Sequence, residues 1–329
     1  MNKKIVKRIG IATLGVCFLL LVALLFIGNY MVEYSLTVHG GGGNREVTLE
    51  VKEYDEELQQ KILANEEKQE KLNKSFESRV KEQAVHITSE DGLKLNAAYF
   101  EQSSSHKWAI VIHGYNCDHS NMERYSQHYY DAGYQVLAPD LRACGESEGT
   151  YYGMGWLDRK DILGWMDWII KKDPDAEIVV HGNSMGGATV MMVSGEKTPD
   201  NVKVFVEDCG YSCVWDIFAS EMQLRFGLPE FPIMHVSSLV SSVKVGYDFS
   251  EASAVEQVKK CKKPMLFIHG SEDDFVPFSM LEEVYEAKPG KNKKKLVVEG
   301  AKHNRSSYVL GELYWNEVFS FIDTNSCTD

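Results

Sequence analysis

Residues 177–195 read EIVVHGNSMGGATVMMVSG, an apolar run that enters Gly182-Asn183-Ser184-Met185-Gly186 and leaves as a small-residue helix pattern. The pentapeptide alone is common by chance. Set between a strand and a helix it describes a sharp turn that exposes a serine hydroxyl at the end of a sheet. Side chains beside such a serine would collide with the turn, so Gly182 and Gly186 give it room. The helix that follows aims its free amides at the same point, where negative charge can be stabilised.

The rest of the chain supplies the sheet. AVHIT and LKLNAAYF read as two strands joined by a turn at Glu90-Asp91-Gly92. WAIVIHG, YQVLAPDLR, VKVFVEDCGY, PMLFIHG and KKLVVEG read as further strands, most of them continuous apolar runs as in buried parallel sheets. Helical patterns at 121–132 and 156–172 fall between them. Alternating strands and helices predict a doubly wound, mostly parallel α/β sheet with helices on both faces. Ligands bind such sheets at the carboxyl ends of the strands. His113, Asp140, Arg142, Ser184, Asp273 and His303 all fall there.

A serine hydroxyl is a weak nucleophile until a base takes its proton. In a sheet of this kind the partners follow in the order serine, acid, histidine. His303, in the loop after KKLVVEG, is the candidate base, while His181 and His269 read as buried strand residues. HGSEDDFVP (269–277) offers three carboxylates to orient His303; Asp273 is preferred, with Asp274 and Glu272 as rivals. Two backbone amides should bind the oxyanion, those of Met185 and Tyr115, with His113 and Gly114 shaping the second loop.

The N-terminus is of another kind. Lys3, Lys4, Lys7 and Arg8 precede an uncharged run, Ile9–Ile27. Its length suits one bilayer crossing, and Tyr30 suits the interface. The basic flank predicts a cytoplasmic N-terminus and an extracellular catalytic domain, anchored in the cell membrane by one pass. No Ala-x-Ala site follows the run, so an uncleaved anchor is expected rather than a signal peptide. Cys17, which a lipoprotein would need, lies inside the apolar run. The His39-Gly40-Gly41-Gly42-Gly43 stretch has an oxyanion-loop look, but lies ahead of every strand and reads as linker. Residues 51–83 read as a charged helix. The expected units are thus 1–33 (anchor), 34–83 (linker and charged helix) and 84–329 (catalytic domain).

The chain has 329 residues, 44% of them hydrophobic and 25% charged, which fits a globular domain and excludes disorder. A net charge of −13 disfavours nucleic acid as a partner. Its seven cysteines lack zinc-ligand spacing; Cys209 and Cys213 have no second pair. Free thiols are favoured, with Cys117 and Cys144 the one pair whose loops would meet if they lie on neighbouring strand ends. No metal or cofactor is implied.

Taken together, His113-Gly114, the DLRACGES stretch at 140–147, GNSMG, HGSEDDFVP and His303 resemble the α/β-hydrolase superfamily, in its serine aminopeptidase-like and esterase-like branch. The resemblance covers about Gln83 to Ile322. It implies the acid is Asp273, and it implies a small helical lid at about 212–250. In that lid Trp215, Phe218, Met222, Leu224, Phe226 and Met234 would line an acyl pocket. Ala143 stands where the family pattern has glycine. The expected activity is ester hydrolysis through an acyl-enzyme on a small-molecule substrate. Peptide or amide hydrolysis is the rival, with Glu221 or Glu230 to hold a substrate amine. A non-catalytic surface binding protein on the same scaffold is a third possibility. Nothing in the sequence fixes the oligomeric state.

Overall fold

The computed structural model describes residues 3–38, 40 and 54–326. Two helices precede the sheet, α1 (Lys3–Leu36) and α2 (Glu56–Arg79). Strands and helices then alternate: β1 (Glu82–Thr88), β2 (Lys94–Phe100), β3 (Lys107–Ile112), α3 (Glu123–Asp131), β4 (Gln135–Pro139), α4 (Asp158–Lys172), β5 (Glu177–Asn183), α5 (Met185–Ser194) and β6 (Val202–Asp208). After β6 come α6 (Val214–Phe226), α7 (Glu230–Lys244), α8 (Ala254–Val258), β7 (Met265–Gly270), α9 (Ser279–Ala287), β8 (Lys293–Val298), α10 (Ser306–Leu310) and α11 (Glu312–Ser326).

The eight strands form one sheet, in the order β1-β2-β4-β3-β5-β6-β7-β8. The β1–β2 and β2–β4 pairings are antiparallel and the other five are parallel. β3 leads outward to β4 while β5 lies on its other side, so the strand order reverses between β3 and β5. That reversal opens a crevice at the carboxyl ends of the strands. The central strands are buried on both faces, which explains their unbroken apolar runs. Helix α5 is buried along its whole length, and its sequence is apolar all round.

The N-terminal segments are more closely joined to this domain than their sequences suggest. The stretch Lys7–Leu36 of α1 is long and apolar enough to cross a bilayer, and its most apolar window is not buried in protein. The helix does not stop at the apolar run. It continues to Leu36, with Val32 and Leu36 wholly buried in the main core. Tyr152 donates its amide to the Leu36 carbonyl at 2.8 Å, and Thr37 bridges Tyr151. Helix α2 starts at Asp55, whose side chain accepts the Leu58 amide at 2.8 Å. It buries Ile62 and Phe76 in the second core, on the other face of the sheet. The Asn65 side chain donates to the Tyr308 carbonyl at 2.7 Å, which ties α2 to α10. The expected glycine linker lies outside the described residues except for Gly40, as does Cys327. Cys117 and Cys144 are both free thiols, so no disulfide joins them.

Candidate active site

Strand β5 delivers Ser184 to the crevice in a conformation that few side chains adopt, with φ 56° and ψ −121°. Only strong surrounding contacts hold a non-glycine residue there. The Ser184 amide donates to the Asp208 carbonyl at the end of β6 at 2.8 Å, and its carbonyl accepts the Ala188 amide at 3.0 Å in the first turn of α5. The flanking glycines are obligatory for a measurable reason. A Cβ at Gly182 would lie 2.3 Å from the Gly186 carbonyl oxygen, and one at Gly186 would lie 2.1 Å from that of Ile112.

His303, in the loop after β8, places Nε2 2.9 Å from Ser184 Oγ. Its Nδ1 lies 2.9 Å from Asp273 Oδ2 and 3.1 Å from Oδ1. With Nδ1–H donating to the carboxylate, Nε2 is left to accept the serine proton. The Asp273 side chain is fully buried. Its Oδ1 accepts the amides of Phe275 and Val276 at 2.9 and 2.8 Å. His269 Nε2 approaches Oδ2 at 3.2 Å and donates to the Val276 carbonyl at 3.1 Å. Burial alone would raise the Asp273 pKa. The charge of His303 and hydrogen bonds from both histidines outweigh it and hold the carboxyl well below its usual range. Its rivals Asp274 and Glu272 stand exposed in the same loop.

The second loop packs as expected. A Cβ at Gly114 would lie 3.3 Å from that of Ser184, so this backbone runs against the serine. His113 Nε2 accepts the Leu141 amide at 3.0 Å, which leaves Nδ1–H to donate to the Gly114 carbonyl at 2.8 Å. Burial depresses the His113 pKa and keeps the ring neutral in that role. Tyr115, Met185 and Ser184 line one pocket. Below it, Asp140 binds His119 Nδ1 at 2.7 Å and the Glu146 amide at 3.0 Å, and Arg142 is clamped by Asp161 at 2.8 Å. The 140–147 stretch therefore braces strand ends. Ala143 keeps the left-handed backbone, φ 62°, where glycine was expected.

The pocket above Ser184 is roofed by α6 and α7. Phe218, Met222, Phe226 and Met234 line it as expected. Trp215 and Leu224 do not. Trp215 is half-buried against the core beside the pocket, its ring 5.0 Å from that of His235 and its Nε1 3.4 Å from Glu230, and Leu224 is on an exposed face. Glu221 reaches the pocket, paired with Arg225 at 2.8 Å; Glu230 does not. Three features escaped sequence reasoning. One is the contact of His269 with the acid, whose only signal was a spacing of four. Another is Cys209, whose buried thiol lies within 4.8 Å of the donor atoms of Asp273 and His303 and is kept protonated by burial. The third is that Met31, Tyr34 and Ser35 of α1 form part of the pocket wall.

Among the described residues two groups of donors are close enough to hold a metal ion, Cys209-Asp273-His303 and Asp118-His119-Asp140. Asp273 and Asp140 are occupied by the hydrogen bonds given above, and Asp118 Oδ1 accepts the Ser120 amide and hydroxyl at 2.8 and 2.6 Å.

The profile of the prolyl oligopeptidase family matches residues 121–326. The uncharacterized protein YqkD of Bacillus subtilis is 27% identical over 250 residues, covering 76% of this chain and 81% of its own length. The Pyrococcus furiosus esterase Pf2001 superposes with a TM-score of 0.61 at 26% identity, covering 75% of this chain and 93% of the esterase. A Pyrococcus horikoshii acylaminoacyl peptidase shares the fold, with a TM-score of 0.55 at 18% identity, covering 74% of this chain and 42% of the peptidase.

Proposed function

From the fact that the chain belongs to the prolyl oligopeptidase family, within the α/β-hydrolase superfamily, we propose that it is a membrane-anchored serine esterase. Ser184 Oγ attacks the substrate carbonyl and passes its proton to His303 Nε2. Asp273 holds the ring and stabilises its charged form. The amides of Met185 and Tyr115 receive the oxyanion. Collapse of the tetrahedral intermediate breaks the ester C–O bond, and His303 returns the proton to the departing alkoxide. Water then repeats the sequence on the acyl-enzyme and releases the acid.

The observation that carries this reading is the serine–histidine–carboxylate relay, 2.9 Å at each step, with the serine at φ 56°. The apolar lining of the pocket favours acyl groups over charged substrates. The basic flank of α1 supports a cytoplasmic N-terminus and an extracellular domain comprising residues 84–329, with its lid at about 212–250. A fluorophosphonate probe on the full-length protein in membranes is the test. Labelling of wild type and none of Ser184→Ala is expected. Absence of labelling in both would sink the enzyme reading in favour of a binding protein.

One observation favours a second reading. Glu221 reaches the pocket, where a substrate amine could meet it, although Arg225 already pairs with it. Turnover of aminoacyl-nitroanilides above that of p-nitrophenyl esters would establish a peptidase instead.

A further inference from the structure

Helix α1 has 34 residues, which at 1.5 Å each make about 50 Å, well beyond the ~30 Å core of a bilayer. The excess is not a tether. Gly28, Val32 and Leu36, four residues apart, form a buried stripe that begins where the apolar run ends. At Gly28 the helix meets α7 so closely that a Cβ would lie 2.7 Å from Val236 Cγ1 and 3.1 Å from the Val236 carbonyl carbon. Lys244 of α7 binds Asn29 at 3.0 Å and pairs with Glu33. The adjoining face of α1 turns Met31, Tyr34 and Ser35 into the pocket of Ser184. There the Ser35 carbonyl accepts the Tyr115 hydroxyl at 2.7 Å.

Helix α7 therefore crosses α1 at Gly28, directly after the uncharged run Ile9–Ile27. Its outward stripe is Phe231, His235, Leu239 and Val243, with Phe231, Leu239 and Val243 exposed by 73, 57 and 80%. Water is a poor neighbour for such a stripe, and the headgroup boundary of a bilayer is a good one. Exposed apolar side chains thus occur on α1 up to Ile27 and on α7, and Met31 of α1 lines the pocket of the serine.

We propose, resting on the esterase reading above, that the substrate is a long-chain acyl ester of a bilayer lipid, drawn sideways between α1 and the lid. The anchor itself is part of the acyl site: Met31 sets how the chain fits, and the Ser35 carbonyl positions Tyr115. An acyl chain that follows this route never has to cross water.

The test uses the full-length protein reconstituted in dioleoylphosphatidylcholine vesicles doped with 1-oleoyl-lysophosphatidylcholine, with p-nitrophenyl butyrate as a water-soluble comparison. Wild type is expected to release oleate and to cleave the butyrate. Met31→Trp, which fills the wall from the anchor side, is expected to lower the ratio of oleate release to butyrate turnover about tenfold or more. Leu239→Glu with Val243→Glu, at exposed positions outside the pocket lining, is expected to lower the same ratio through the outward stripe. Unchanged ratios in both variants, with wild type still labelled by fluorophosphonate, would overturn the lipid route and leave the esterase standing. A wild type that neither labels nor cleaves the butyrate would remove the esterase reading first, and the lipid route with it.

Discussion

Beneath Ser184 the close contacts are with backbone. Cβ atoms at Gly182 and Gly186 would land 2.3 and 2.1 Å from carbonyl oxygens, and the serine itself is held at φ 56°. Above Ser184 the contacts are between side chains. Met222 and Met234 are buried there, and Phe218 meets Phe249 edge-on with ring centroids 5.0 Å apart. Backbone cannot move without shifting the sheet, whereas methionines are unbranched and repack readily. The floor under Ser184 is therefore rigid and the roof over it adaptable. In this fold the two properties are given to different materials.

Substitutions can break or sharpen that contrast. Asp273→Asn, on the floor, should cut kcat for an ester by about 10³–10⁴-fold by disturbing the histidine tautomer, measured with p-nitrophenyl butyrate. It should also alter acid stability in a defined sense. The Asp273 carboxyl is held below its unfolded value, so its contribution is present above about pH 4 and is lost as pH falls toward the folded value. The stability gap between wild type and Asp273→Asn, measured by urea unfolding, should narrow on acidification. A gap that widens would place the stabilising charge elsewhere. Next in size, Gly186→Ala should cost about 3 kcal/mol or more, since the offending atom is the Ile112 carbonyl and no side chain can yield. On the roof, Met222→Leu should cost less than about 1.5 kcal/mol, and a loss as large as that of Gly186→Ala would erase the contrast. The smallest effect runs the other way. Ala143 stands at φ 62°, so Ala143→Gly should gain about 0.5–1 kcal/mol in thermal or urea unfolding.

Floor and roof were not equally legible in the sequence. A short apolar or alternating run bounded by turn residues is written in one dimension, so all eight strands could be found, and with them the loops that carry Ser184, Asp273 and His303. Strand order along the chain then pointed to the loops of the partners, and the family resemblance to Asp273 among three carboxylates, although the partners lie 30 and 119 residues from His303. The roof depends on which way each helix faces, and composition does not record that. Trp215 and Leu224 were grouped with Phe218 and Met222 because they are apolar, but neither lines the pocket. The continuation of α1 was hidden for a similar reason. Hydropathy falls at Gly28, and the stripe Gly28, Val32, Leu36 is three residues inside GNYMVEYSL, too few to announce a buried face. His269 was seen as a buried strand residue, which it is, but its reach to Asp273 depends on how the following loop folds back.

Tyr54, just ahead of α2, accepts the Lys302 amide on its hydroxyl at 3.2 Å, and so steadies the loop that carries His303. Ser35, at the end of α1, does the same for Tyr115 on the opposite side of the serine. Both braces come from the part of the chain that a protein chemist discards first when seeking a soluble, easily purified enzyme. A version begun at Glu82 would keep Ser184, His303 and Asp273 and lose both supports. A sluggish catalyst obtained in that way would be reporting on its missing leader, while its serine remained sound.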